Sequence, residues 1–165
     1  MHAHTDFKVV ALPAEDFGDL LAMPDVELRA NRGRRMVVDH KPGFPCRVSL
    51  VDAEIGEEVI LVDYTHHDAD SPYRASGPIF VRADAETARP AINEIPEMLS
   101  TRLLSVRAYD DRGMMRDAEI VEGADLAGHI RASFADDRVA YLHLHNARPG
   151  CFNCRVERAA TGQHR

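Results

Sequence analysis

The spacing of apolar residues changes period several times along the chain, and each change predicts an element. Side chains alternate faces along a strand and return to one face every three to four residues along a helix. Near the end, Leu142 and Leu144 alternate with His143 and His145. That stretch is predicted to be a strand with one apolar face and one face of imidazoles, joined through Pro149-Gly150 to a partner strand ending near Arg158. Leu103–Tyr109 and Met114–Val121 predict a second hairpin across Asp110–Gly113, a loop whose closing glycine suits a left-handed residue. Between these hairpins, Leu126, Ile130 and Phe134 fall at the spacing of one helical stripe, predicting a helix over 124–134.

The first half is less regular. Phe7–Leu12 reads as a strand. Phe17, Leu20 and Leu21 give helical spacing to 14–23, and Pro24 opens a further turn or two with Asp25 and Glu27 at its start, where a helix dipole favours negative charge. Met36–Val38 is a short strand. Cys46, Val48 and Leu50 alternate with Arg47 and Ser49, so 46–50 is expected to pair as a hairpin with Val59–Val62 across a turn at 52–57. Thr65–Gly77 is the longest irregular stretch, followed by a strand at Pro78–Arg82. Pro96–Leu99 suggests one helical turn.

Together these predict an α+β fold: a single domain over 7–158, with a mostly antiparallel sheet of about seven to nine strands built from hairpins and a few flanking helices. Residues 1–6 are expected to form a flexible N-terminus and 159–165 a polar tail.

Composition narrows the function. The chain has 165 residues, 45% hydrophobic and 28% charged, as an ordinary globular domain does. Its net charge of −7 repels phosphate backbones, so no nucleic-acid partner is expected. No apolar run approaches the roughly 20 residues of a membrane-spanning helix, and the opening residues lack a basic segment followed by an apolar run. Three cysteines without an export signal fit a reducing compartment, so a cytoplasmic location is expected.

The candidate chemistry lies in two stretches. In the closing hairpin, His143 or His145 is a candidate general base or metal ligand, and Cys151 a candidate nucleophile. Cys151 and Cys154 have Cys-x-x-Cys spacing but face opposite ways on a regular strand, and no second pair accompanies them. No metal or other cofactor is therefore expected. If one binds, zinc is the natural candidate, held by His143, His145 and a third ligand such as His66, with His67, Asp68 or Cys46 as others. The 65–77 stretch offers His66, Tyr73, Arg74 and Ser76, residues that orient and clamp a carboxylate or phosphate. Arg47, Arg107, Asn146 and Arg148 lie in or beside predicted strands and extend the same candidate pocket. A small anionic molecule is thus the expected ligand. The alternatives are an enzyme using that pocket and an interaction module whose outer strand pairs with a partner or a second copy.

Four blocks carry a resemblance: Pro42–Leu50, Ser71–Val81, Val106–Asp110 and Ala147–Arg158. In this order they resemble an uncharacterised bacterial group, domain-of-unknown-function family 1203, along nearly the whole chain from Phe7 to Arg158. The resemblance implies one domain of this extent and no particular activity. It also implies a cysteine where this chain has Ser49, and that departure weakens a zinc site built from two cysteine pairs.

Overall fold

A computed structural model of the protein describes residues 5–160. Most of the expected N-terminal segment and polar tail lies outside them. Eight strands form two antiparallel sheets among the described residues. The larger sheet contains β1 (Phe7–Val10), β5 (Leu103–Tyr109), β6 (Met115–Glu122), β7 (Tyr141–Asn146) and β8 (Phe152–Arg158), in the order β1-β8-β7-β5-β6. The smaller contains β2 (Arg34–Val37), β3 (Glu58–His67) and β4 (Ala75–Arg82), with β3 central. The fold is α+β and mostly antiparallel, as expected, but the strands divide between two sheets.

Among the described residues four short α-helices complete the fold: α1 (Gly18–Ala22), α2 (Asp25–Ala30), α3 (Glu97–Ser100) and α4 (Leu126–Phe134). Leu126, Ile130 and Phe134 of α4 belong to one buried cluster with Leu142, Leu144, Val106 and Val156 of the larger sheet. Burying each such side chain contributes roughly 1.5–3 kcal/mol. The end of α4 is held by Arg158, whose guanidinium donates to the carbonyls of Phe134, Asp136 and Val139 at 2.8, 3.0 and 2.9 Å. The first of these occupies a carbonyl that a helix end leaves without a partner, and the other two hold the segment that follows the helix. Phe17, Leu28, Ile60, Val62, Ile79 and Val81 form a second buried cluster on the smaller sheet.

Two expectations need correction. Residues 46–50 are not a strand. The Leu50 amide donates back to the Cys46 carbonyl at 3.0 Å, and the Ser49 amide to Cys46 Sγ at 3.4 Å, closing a turn. Val59–Leu61 pair instead with β2 and β4. The turn buries the three consecutive residues Cys46, Arg47 and Val48, as well as Leu50, rather than alternating faces, and Arg47 becomes the link between the sheets. Its amide donates to Phe80 O in β4 at 3.1 Å, and its Nε to Phe152 O in β8 at 2.8 Å.

The second correction concerns the long irregular stretch. Strand β3 runs on to His67 and β4 begins at Ala75, leaving a connection of only 68–74. Thr65 Oγ1 and Ser76 Oγ share a 2.9 Å hydrogen bond across the two strands. The connection packs on the β5–β6 turn, where Ser71 Oγ donates to Gly113 O at 2.9 Å. Gly113 has φ of 75°, and a Cβ there would stand 2.5 Å from Ala69 Cβ. Glycine is required on both counts.

Candidate functional site

One face of the larger sheet is apolar and packs under α4; the other is polar. Across the polar face the registers place Ser105 opposite His145, Arg107 opposite His143, and Tyr109 opposite Tyr141. On the other side of β7, His143 pairs with Arg155 and His145 with Phe152. The end of β3 lies over this face. Its register with β4 shifts between Tyr64 and His67, and such an irregularity re-aims side chains that would otherwise alternate. Both His66 and His67 therefore reach the ring cluster. His66 stacks on Phe152 at 5.1 Å and stands 5.0 Å from His145; His67 lies 4.2 Å from Tyr109 and 5.1 Å from His143, between ring centres.

Two of these imidazoles are fixed by hydrogen bonds. His67 Nδ1 lies 2.8 Å from Tyr73 O, a carbonyl that can only accept, so Nδ1 carries hydrogen. In the neutral ring Nε2 then accepts from the Tyr141 hydroxyl, 2.6 Å away. His145 Nδ1 likewise donates to Gly150 O at 2.9 Å, leaving Nε2 as a lone pair. That Nε2 and His143 Nδ1 are buried without a hydrogen-bond partner. So is His66 Nδ1; the Tyr64 carbonyl lies near enough to favour the charged ring slightly, but no hydrogen bond forms.

Burial controls the charge here. It pushes His143 down to about 2, His145 to about 3 and His66 to about 4, with neighbouring imidazoles and arginines adding to the effect. All three rings are neutral near pH 7. Burial raises the Tyr109 and Tyr141 hydroxyls, opposed by Arg107 beside the first and Arg155 beside the second. Arg155 lies 4.0 Å above the Tyr141 ring and donates to Glu157 at 2.9 Å. Arg107 is half-buried and donates Nε to Ser105 Oγ at 3.2 Å. Among the described residues it makes no ion pair.

A family model covers residues 43–158. The chain belongs to the family described as "Protein of unknown function (DUF1203)". No curated protein and no solved structure matches it. The part matched by the DUF1203 model contains every side chain of the ring cluster, from His66 to Arg155, but the family's description attaches no chemistry to them.

The residues singled out in the sequence stand in four places. His66, His143, His145 and Arg107 share the polar face, and Tyr73 joins them through its carbonyl on His67 and its ring 6.3 Å from Tyr109. Asn146 and Arg148 instead line a surface groove of about 440 Å³ with Arg102 and Pro149. Arg74 and Ser76 point outward, Arg74 in an exposed ion pair with Asp68 and Ser76 bonded to Thr65. Arg47 is buried between the sheets, and burial lowers it to about 10. Cys151 is a free, partly exposed cysteine, and no hydrogen bond joins it to His145 among the described residues.

Tyr109, Tyr141 and Phe152 complete the cluster and were not among the candidates. Tyr141 was within reach of the sequence, since it shares the period-two face of His143 and His145. Tyr109 and Phe152 come from other strands, and only the pairing brings them in.

Proposed function

We propose that this protein binds a small molecule bearing a carboxylate or phosphate on the polar face of its larger sheet. The observation that carries this reading is Arg107: a half-buried guanidinium with no carboxylate partner, beside Ser105, Tyr109 and three neutral imidazoles. A charge taken from water is costly unless paired, and a guanidinium offers a planar fork that fits such anions. Ser105 and Tyr109 supply hydroxyls that orient a ligand. Arg74, engaged by Asp68 at the surface, has no part in it.

A panel of small carboxylates and phosphates, screened by thermal shift and confirmed by calorimetry, tests the reading. A true ligand at 100 times its Kd stabilises the chain by about 2.7 kcal/mol. The gain should vanish in Arg107→Gln and persist in Arg74→Gln. No stabilisation by any compound, or equal stabilisation of Arg107→Gln, overturns it.

The Tyr141–His67 pair favours a second reading of the same site as an enzyme. A hydroxyl 2.6 Å from an imidazole whose other nitrogen is tethered to a carbonyl is arranged for proton transfer. Under this reading Tyr141→Phe leaves ligand affinity nearly unchanged and removes turnover.

A further inference from the structure

We propose that the outer edge of β6 takes up an extended basic segment of a partner chain, which adds a strand to the larger sheet. Among the described residues the other sheet edges are short or covered. β1 and β2 have four residues each, and Phe7 of β1 exchanges hydrogen bonds with Asn93 at 3.1 and 2.9 Å. The edge of β4 accepts the Arg47 amide at Phe80 O, 3.1 Å, and donates its Arg82 amide to Cys46 Sγ at 3.3 Å. β6 has eight residues, and apart from the pairing with β5 none of its backbone groups is hydrogen-bonded among the described residues. An edge of that length, about 27 Å, is a template for another strand.

The surroundings of the edge select the occupant. Residues 116–120 are all exposed, with Ile120 at 58%. An open groove of about 750 Å³ runs between this edge and α4, lined by Glu119, Ile120, Glu122, Asp125 and His129. Glu119 stands opposite Val106 and Val121 opposite Leu104, so these positions face α4. Ala118 and Ile120, opposite Arg107 and Ser105, face the other side. Among the described residues Glu119, Glu122 and Asp125 form no ion pair. Of the groove's lining residues only His129 can carry positive charge. A strand laid along β6 therefore turns alternate side chains toward Glu119 and Asp125, and the intervening ones toward Ala118 and Ile120. The complementary segment alternates arginine or lysine with apolar residues.

A second copy of the chain fits less well. Two-fold antiparallel pairing keeps like faces together, so registers centred on residue 117, 118 or 119 set acid against acid. Asp117 or Glu119 of one chain then lies directly opposite Asp117 or Glu119 of the other, which is destabilising, and each chain carries a net charge of −7. Charges on an edge discourage such self-pairing while leaving it open to a basic strand. The edge site stands on β6 and α4 alone and does not require the anion reading.

The test titrates the full chain into a fluorescein-labelled octapeptide of alternating arginine and valine and follows anisotropy. One peptide per chain is expected, with amide hydrogen exchange slowed over 115–122 and unchanged in β2. Glu119→Lys/Asp125→Lys should weaken binding by about 10-fold or more and take up the matching glutamate–valine peptide instead. Glu15→Lys/Asp19→Lys, the same charge change at exposed residues elsewhere, should bind as the parent does. A peptide with proline in place of valine keeps the charge but cannot extend a sheet, and it should not bind. The proposal is overturned by an absence of binding, by equal binding to Glu119→Lys/Asp125→Lys, or by binding that leaves exchange over 115–122 unchanged. Equal binding of the proline peptide overturns it as well. So does a parent chain that light scattering finds dimeric with 115–122 already protected, since a second copy then holds the edge.

Discussion

The two faces of β7 differ in what their burial achieves. Leu142 and Leu144 meet Val106, Val156 and the apolar stripe of α4, and that side of the strand leaves no side-chain hydrogen bond to satisfy. One residue over, His143 and His145 are as thoroughly buried, yet each holds a ring nitrogen without a partner. Burial on the first face stabilises the fold. On the second it costs stability, since a buried polar atom without a partner forfeits about 1–3 kcal/mol. That cost at the centre of the strand is what the proposed ligand site on this face would offset.

Paired substitutions sharpen that contrast most. Leu144→Ala should lower the unfolding free energy by about 2–5 kcal/mol, through lost burial and the cavity left behind. His143→Leu, in metal-free and ligand-free protein, should leave stability unchanged or raise it by up to roughly 1–3 kcal/mol, since it removes the unpartnered nitrogen. Urea midpoints for the two variants decide the matter. Equal losses in both would erase the distinction between the faces.

Of the two faces of β7, acid should act on the one that carries the histidines. A histidine whose folded value lies below its unfolded 6.5 contributes stability that is fully present above pH 6.5 and is lost as pH falls toward the folded value. His143 and His145, lowered to about 2 and about 3, should each remove roughly 1.4 kcal/mol per pH unit below 6.5. Urea midpoints measured from pH 7 to 5 should therefore fall more steeply in the parent than in His143→Leu, by about one proton's worth. Leu144→Ala should keep the parental slope. A flat profile in the parent would mean that these rings are not held neutral by the fold.

The smallest effect concerns the thiols. Cys154 lies in the apolar cluster on the leucine face, with burial pushing its thiol up to about 12. Cys46 is also fully buried, whereas Cys151 at the start of the last strand is partly exposed. Alkylation of native protein followed by peptide mass spectrometry should label Cys151 first, and Cys46 and Cys154 only at the rate of unfolding. Early labelling of Cys154 would show that the leucine face opens as readily as its opposite.

Much of this was legible in the chain. The alternation at 142–145, the stripe of α4 and the two late hairpins follow from spacing that each segment carries within itself. So does the separation of imidazoles from leucines, because neighbouring residues on a strand have no choice but to face opposite ways. Arg107, His143 and His145 could be picked out as candidates, but not their relation to one another.

The remainder depended on distant segments meeting. Residues 46–50 have a strand's alternation and form a turn, because the amides of Ser49 and Leu50 close on Cys46 while β3 finds better partners in β2 and β4. His66 and His67 would normally face apart, and a shift in pairing turns both toward a strand more than seventy positions away. Local sequence therefore determined which faces were polar and which apolar. Only the packing of the whole chain decided which polar faces would be enclosed together, because that choice rests on contacts between segments that share no local pattern.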